Sequence, residues 1–186
     1  MAHPRKLIRH AVVAQLTNAT AAGDRVQPTR VEPHRKRNLP AISVYTMHEP
    51  VDDASSKTSP RELTREPRVE IAAWVVHSEA LPVDDAMDDL AEQIEAAMDA
   101  DRFIGGAAGG SVLEETVMQV VDEDENGRPI DPILGIVTLT YAVTYRTTPA
   151  TGPLDEFRRA NVTTQIPGVG ADNAVHDQFD LQQETP

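Results

Sequence analysis

The stretch Ile133–Thr147, ILGIVTLTYAVTYRT, constrains this chain more than any other. Val137, Leu139, Tyr141, Val143 and Tyr145 fall on one side of an extended backbone, and Thr138, Thr140 and Thr144 on the other. Strand side chains alternate between faces, so this pattern asks for a sheet with one covered face and one wet face. A second stretch supplies the cover as a helix. In LPVDDAMDDLAEQIEAAMDADRF, Met87, Leu90, Ala91, Ile94, Ala97 and Met98 form one apolar stripe at helical spacing. Pro82 suits the start of that helix, and Asp84 and Asp85 complement its positive end.

The rest of the chain arranges itself around these two elements. A first helix is expected from Pro4 to about Ala21, with Leu7, Ile8, Ala11, Val12 and Leu16 on one face and Gly23 as its stop. RVQPTRVEPHRKRN reads as an extended loop or an edge strand. LPAISVYTM reads as a strand in which Ile42, Val44 and Thr46 alternate with Ala41, Ser43 and Tyr45. HEPVDDASSKTSP is a polar loop. RELTREPRVEIAAWVVHS is one long strand or two short ones divided at Pro67. Val69, Ile71, Ala73 and Val75 share a face there, and the proline points to an edge or a bulge. IGGAAGG interrupts the regular pattern after the second helix, and SVLEETVMQVV leads through DEDENGRPIDP into Ile133–Thr147.

The order helix, strand, strand, helix, strand, strand predicts an α+β fold. Two helices pack on one face of a mostly antiparallel sheet of four or more strands. Residues 1–147 form this domain. Residues 148–186 have isolated apolar positions and frequent Gly and Pro, so an extended C-terminal arm is expected, with at most a short helix near Leu154 to Ala160.

Charge and composition narrow the function. With 40% apolar residues, a chain of 186 can bury a real core. No run is long and apolar enough to span a bilayer, and the opening MAHPRKLIRHAVVAQL does not read as a signal peptide. The absence of Cys removes disulfides, thiolate nucleophiles and Cys-based metal sites. The formal charge is −13 and unevenly spread. Met1 to Pro40 hold eight basic residues against two acidic ones, a net of +6, so the remainder carries −19. Such a balance disfavours wrapping a phosphate backbone, and 4% aromatics leave little for base stacking.

Several motifs tempt a chemical reading and fail on context. Asp122, Asp124, Asn126 and Gly127 match the opening of an EF-hand loop, but Ile133 stands where the bidentate Glu belongs and both flanks read as strands. Asn126-Gly127 is a hairpin-turn dipeptide instead. The glycines of GGAAGG follow a helix and precede a strand, the reverse of a phosphate loop, so a flexible connector is expected. The six histidines show no short ligand spacing, and Asp84, Asp85, Asp88 and Asp89 read as the polar half of an amphipathic helix. No serine has a nucleophile context. No enzyme activity, cofactor or metal is expected from this pattern.

LIRHAVVAQL, GDRVQPTRVEP and NLPAISVYT, followed by ALPVDDAMDDLAEQIEAAM and LGIVTLTYAVTYRT, resemble tail terminator (tail completion) proteins of long-tailed bacteriophages. The likeness spans about Pro4 to Thr147 and rests on element order and these phrases. It implies a structural virion subunit, assembled in the host cytoplasm into a hexameric ring on the tail tube protein. That ring stops tube growth and offers a surface to head-tail connector proteins, while DNA crosses its lumen without specific binding. Under this resemblance the basic cluster Arg35, Lys36 and Arg37 is a loop entering the sheet, available to meet acidic loops of a neighbour. From loop chemistry, Asp122, Asp124 and Asn126 join Arg35, Lys36 and Arg37 as candidates for a subunit or tube interface. The competing readings are a head-side neck subunit, such as a stopper or adaptor, and a small nucleic-acid-binding module built on Met1 to Pro40.

Overall fold

The computed structural model describes residues 2–29, 36–52, 62–123, 128–148, 159–164 and 175–180. It separates into two compact units, Met1–Thr148 and Pro149–Pro186. In the first, helix α1 (Pro4–Leu16) precedes strand β1 (Val26–Pro28), a short 3₁₀ turn (Lys36–Asn38), β2 (Ala41–Thr46), β3 (Val51–Asp52), β4 (Leu63–Arg65) and β5 (Arg68–Val76). Helix α2 (Val83–Ala100), β6 (Gly110–Glu123) and β7 (Pro129–Thr147) complete it. The fold is α+β, with two α-helices and a mixed seven-stranded sheet among the described residues.

β7 is the spine of that sheet. Its Leu134–Ala142 segment pairs antiparallel with β5 on one side, and β4 continues the same flank at Tyr145–Thr147. β6 lies along the other side. β2 follows β5, β1 follows β2, and β3 adds to β4. β1 runs parallel to β2; the other pairings of the sheet are antiparallel. The strand expected to lie at an edge or carry a bulge because of Pro67 is central instead. The chain breaks into β4 and β5 at Glu66-Pro67, where Glu66 N–H donates to the Pro50 carbonyl at 3.2 Å and the Pro67 carbonyl accepts from Val143 N–H at 3.1 Å. A residue without an N–H is tolerated at such a break.

The covered face holds the core. Val69, Ile71, Ala73 and Val75 of β5 and Val137, Leu139, Tyr141, Val143 and Tyr145 of β7 are buried beneath Met87, Leu90, Ile94 and Met98 of α2. Ile8, Val12 and Leu16 of α1 pack over the β1–β2 end. These three follow an i, i+4, i+8 line, and Leu7, expected among them, lies off it, half exposed. Helix α1 also stops at Leu16 rather than Ala21. Asn18 adopts φ 60°, the left-handed conformation that ends helices, and Thr17 Oγ1 donates back to the Val13 carbonyl at 2.7 Å.

Two glutamine amides tie the helices together. Gln15 Nε2 donates to the Ala97 carbonyl at 2.7 Å and the Asp101 carbonyl at 3.1 Å, satisfying the α2 terminus, which has no basic residue in its last turn. Gln93 Oε1 accepts from Ala21 N–H at 2.7 Å. Gly135 lets α2 approach the sheet: a Cβ there would lie 2.7 Å from Val83 Cγ2 and 2.8 Å from both Met87 Cγ and Val75 Cγ2.

The GGAAGG region is a set of compact turns. Asp101 carboxylate oxygens accept from Phe103 N–H at 3.0 Å and Gly105 N–H at 2.6 Å, and Ile104 is fully buried. The second unit holds β8 (Arg159–Thr164) and β9 (Val175–Asp180), which pair antiparallel. Of the short helix expected at Leu154 to Ala160, Arg159 and Ala160 lie in β8 and the rest falls outside the described residues. Val51 and Asp52 of the expected polar loop form β3 against β4.

Candidate functional site

Three places concentrate polar or exposed groups. The first is a knot around Glu49, whose side chain is only 7% exposed. Its Oε1 accepts from the Tyr145 hydroxyl, while Arg65 Nη1 and Arg5 Nε approach Oε2 at 3.4 and 3.5 Å. Burial, and then the bond to Glu49, push the Tyr145 phenol up to about 12. The carboxylate is surrounded by two guanidinium groups and a phenol, so it serves to bind α1, the segment after β2, β4 and β7 together.

The second is an open concavity of ≈ 530 Å³ between the end of α2 and the start of β6. Ser111 in its lining is buried, but the lining contains no His or Lys to activate it. Glu66 is paired with Arg68 at 2.7 Å, and Asp101 is spent on the turn described above. Among the described residues, no group of three or more His, Asp or Glu is placed to hold a metal ion. No described helix is long and apolar enough to cross a membrane.

The third is β6 itself. Past Leu113, which packs against the core, a register shift inserts Glu114 into the strand, and Arg68 Nε meets its carboxylate at 2.6 Å. This bulge fixes the register of everything that follows. Thr116, Met118 and Val120 then stand beside Leu139, Val137 and Gly135 on the covered side of the sheet. Those β7 positions are buried, yet Met118 and Val120 are 43% and 42% exposed, because the helical layer does not extend over them. Val117, on the opposite face beside Thr138, is 49% exposed. β6 thus presents apolar side chains on both faces, and no described strand pairs with its outer edge. It also carries Glu114, Glu115, Asp122 and Glu123 and no basic residue.

The opposite flank of the sheet has the opposite charge. α1 carries Arg5, Lys6 and Arg9 and no acidic residue. Arg9 Nη1 donates to Thr46 Oγ1 at 2.9 Å, which sets these bases near the end of β2. Arg25 lies just before β1, its Nε donating to the Pro40 carbonyl at 2.8 Å. Arg37 is exposed in the 3₁₀ turn that precedes β2.

Of the residues singled out from sequence, Arg37 and Asp122 are therefore placed, both exposed, on opposite flanks of one sheet. Lys36 is described by its backbone alone; Arg35, Asp124 and Asn126 lie outside the described residues, as does the Asn126-Gly127 turn. The strands on either side of that turn are antiparallel partners, with Glu123 opposite Pro129. Sequence reasoning passed over Met118, Val120, Glu115 and Lys6. The signal was present in Val117-Met118 and Val120-Val121: adjacent apolar residues supply both faces of a strand, which a one-sided sheet does not require.

Comparison with protein-family models and with curated proteins gave no match.

Proposed function

We propose that this chain is a structural virion protein of a long-tailed bacteriophage. In this reading it forms a hexameric ring that caps the tail tube, ends tube polymerisation and receives the head connector. The observation that carries the reading is the β6 edge. A long strand with exposed apolar residues on both faces, whose outer side no described strand pairs, is a surface for docking protein. The resemblance of residues 4–147 to the tail terminator family, drawn from sequence, supports the same reading.

The charge distribution is compatible with a channel that DNA must cross without sticking. α2 bears seven acidic residues and no basic one, so its outer face repels phosphate. A nucleic-acid-binding module would instead need a continuous basic face, whereas Arg5 faces Glu49 and the Arg25 guanidinium is bonded to backbone carbonyls.

The test is electron microscopy of a phage lacking the gene. Tails of irregular length and heads left unjoined are expected, with recovery when the gene is supplied in trans. Normal tails attached to full heads would overturn the reading. Pulldown with purified tube protein and portal rings separates the two ends of the neck. Tube binding is expected, and capture by the portal alone would move the protein to the head side.

A further inference from the structure

We infer that copies of this chain join head to tail, the β6 edge of one copy seating on the α1–β1 flank of the next. This deepens the ring reading and rests on it, by naming the surfaces that make the joint.

An exposed apolar strand edge invites another chain, and something must cover it. Charge selects the occupant. If two β6 edges met each other in an isologous pair, Glu115, Asp122 and Glu123 of both copies would be brought together without a single base on either strand. The flank beyond β2 offers what β6 lacks: exposed Lys6 and Arg37, beside Arg5, Arg9 and Arg25, which are bonded to Glu49, Thr46 and backbone carbonyls, against the acids Asp24 and Glu49. It also offers an apolar counterpart, since Leu7 is half exposed on α1.

The register adds a second, independent match. Across the sheet, Tyr45, Glu70, Thr140 and Glu115 form one row, and Ala41, Trp74, Ile136 and Gln119 another. Three strand spacings, roughly 14 Å, separate the ends of each row. Glu115 therefore lies at the level of the end of β2, where Arg9 bonds Thr46 and Arg5 reaches Glu49. Asp122 and Glu123 lie beyond Gln119, on the side of the sheet where Arg37 precedes Ala41. Acids on one flank and bases on the other thus fall at matching heights along the strand axis. Side-by-side translation with a small rotation brings Asp122 toward Arg37, and sets Glu115, on the uncovered face beside Thr140, at the height of the first turns of α1, which lie over the covered face. A joint between two different patches propagates in one direction and closes when the rotation per copy allows, which is the geometry of a ring.

The experiment uses the full chain and the exposed residues Arg37 and Asp122. Arg37→Glu and Asp122→Arg are expected each to weaken self-association by about tenfold in sedimentation or native mass spectrometry. An equimolar mixture of the two variants is expected to recover wild-type assembly, because alternating copies then match at every joint. Failure of either variant to weaken association, or of the mixture to recover it, overturns the inference. So does a wild-type chain that stays monomeric at high micromolar concentration. A wild-type arm needs no substitution. Carbodiimide coupling of mixed isotopically light and heavy copies is expected to link Lys6 of one copy to Glu115, Asp122 or Glu123 of another, and an oligomer without that link overturns the head-to-tail joint. Tube-end capping is scored separately. Rings that carry the link but ignore tube ends sink the tail reading and leave this joint standing. Capping by a chain that never forms the link does the reverse.

Discussion

β5 and β6 flank the same strand and pair with the same stretch of β7, yet they live in different environments. β5 alternates buried and half-buried positions along its length, whereas β6 is exposed from Glu114 to Val120. Pairing with β7 is therefore not what separates them, although β5 is also paired with β2 and no described strand meets the outer edge of β6. The difference lies in what stands over each strand. α2 packs against β5 and β7, held close by Gly135, and only the start of β6 reaches the same core through Ser111 and Leu113. Hydrogen bonding fixes where a strand runs, and the layer above it decides what the strand is for. β5 supplies stability; β6 is left available.

The largest effect should appear where cover is complete. Ile71→Ala on β5 removes a fully buried side chain beneath the helices and should cost about 2–5 kcal/mol in urea unfolding. A cost under 1 kcal/mol would mean that the covered half is not the source of stability. Next comes the contact that sets the height of α2. Gly135→Ala puts a methyl group against Val83, Met87 and Val75 and should destabilise by about 1–3 kcal/mol. If that substitution were neutral, α2 would not be seated as closely on β7 as the geometry requires.

Much of the covered half was legible from sequence, because its signals are local. The stripe of α2 and the alternation of Val137, Leu139, Tyr141, Val143 and Tyr145 each follow from the period of a single element. The less legible features depend on partners far away in the chain. β1 and β3 contain three and two residues, too few for a period, and exist because β2 and β4 present edges to them. Both Asn18 and Gly23 take the left-handed conformation, and α1 ends at the first of them, just past its last buried residue, Leu16. The candidate site shows the same division. Arg37 and Asp122 could be picked out as charged loop residues, but their positions on opposite flanks follow only from the order β1, β2, β5, β7 and then β6. Met118 and Val120 look like core residues in sequence, and only the extent of the helical layer shows that they are not.

The two tyrosines of β7 sharpen the comparison through pH. Burial, and then the charges of Glu95 and Asp99, raise Tyr141 beyond the range of an ordinary phenol; Tyr145 is pushed up to about 12. An unfolded tyrosine ionises near about 10. Between those values the folded chain binds more protons than the unfolded one, so stability falls as pH rises. The contribution is complete below about pH 10 and is lost as pH climbs through about 12. Urea midpoints measured across that window should decline, and Tyr141→Phe should flatten the decline. A Tyr141→Phe chain with the same alkaline slope as wild type would show that this position does not sense the covered face.

The smallest effect on stability is expected where the functional claim is strongest. Val117→Ser on β6 alters a half-exposed side chain and should change unfolding free energy by no more than about 0.5 kcal/mol. The same substitution removes apolar surface from the edge on which a neighbouring copy is proposed to sit, so self-association should weaken while the urea midpoint holds. Measured together, the two quantities separate a strand kept apolar for packing from one kept apolar for docking. A large loss of stability with unchanged association would mean that β6 is part of the core after all, and the contrast with β5 would disappear.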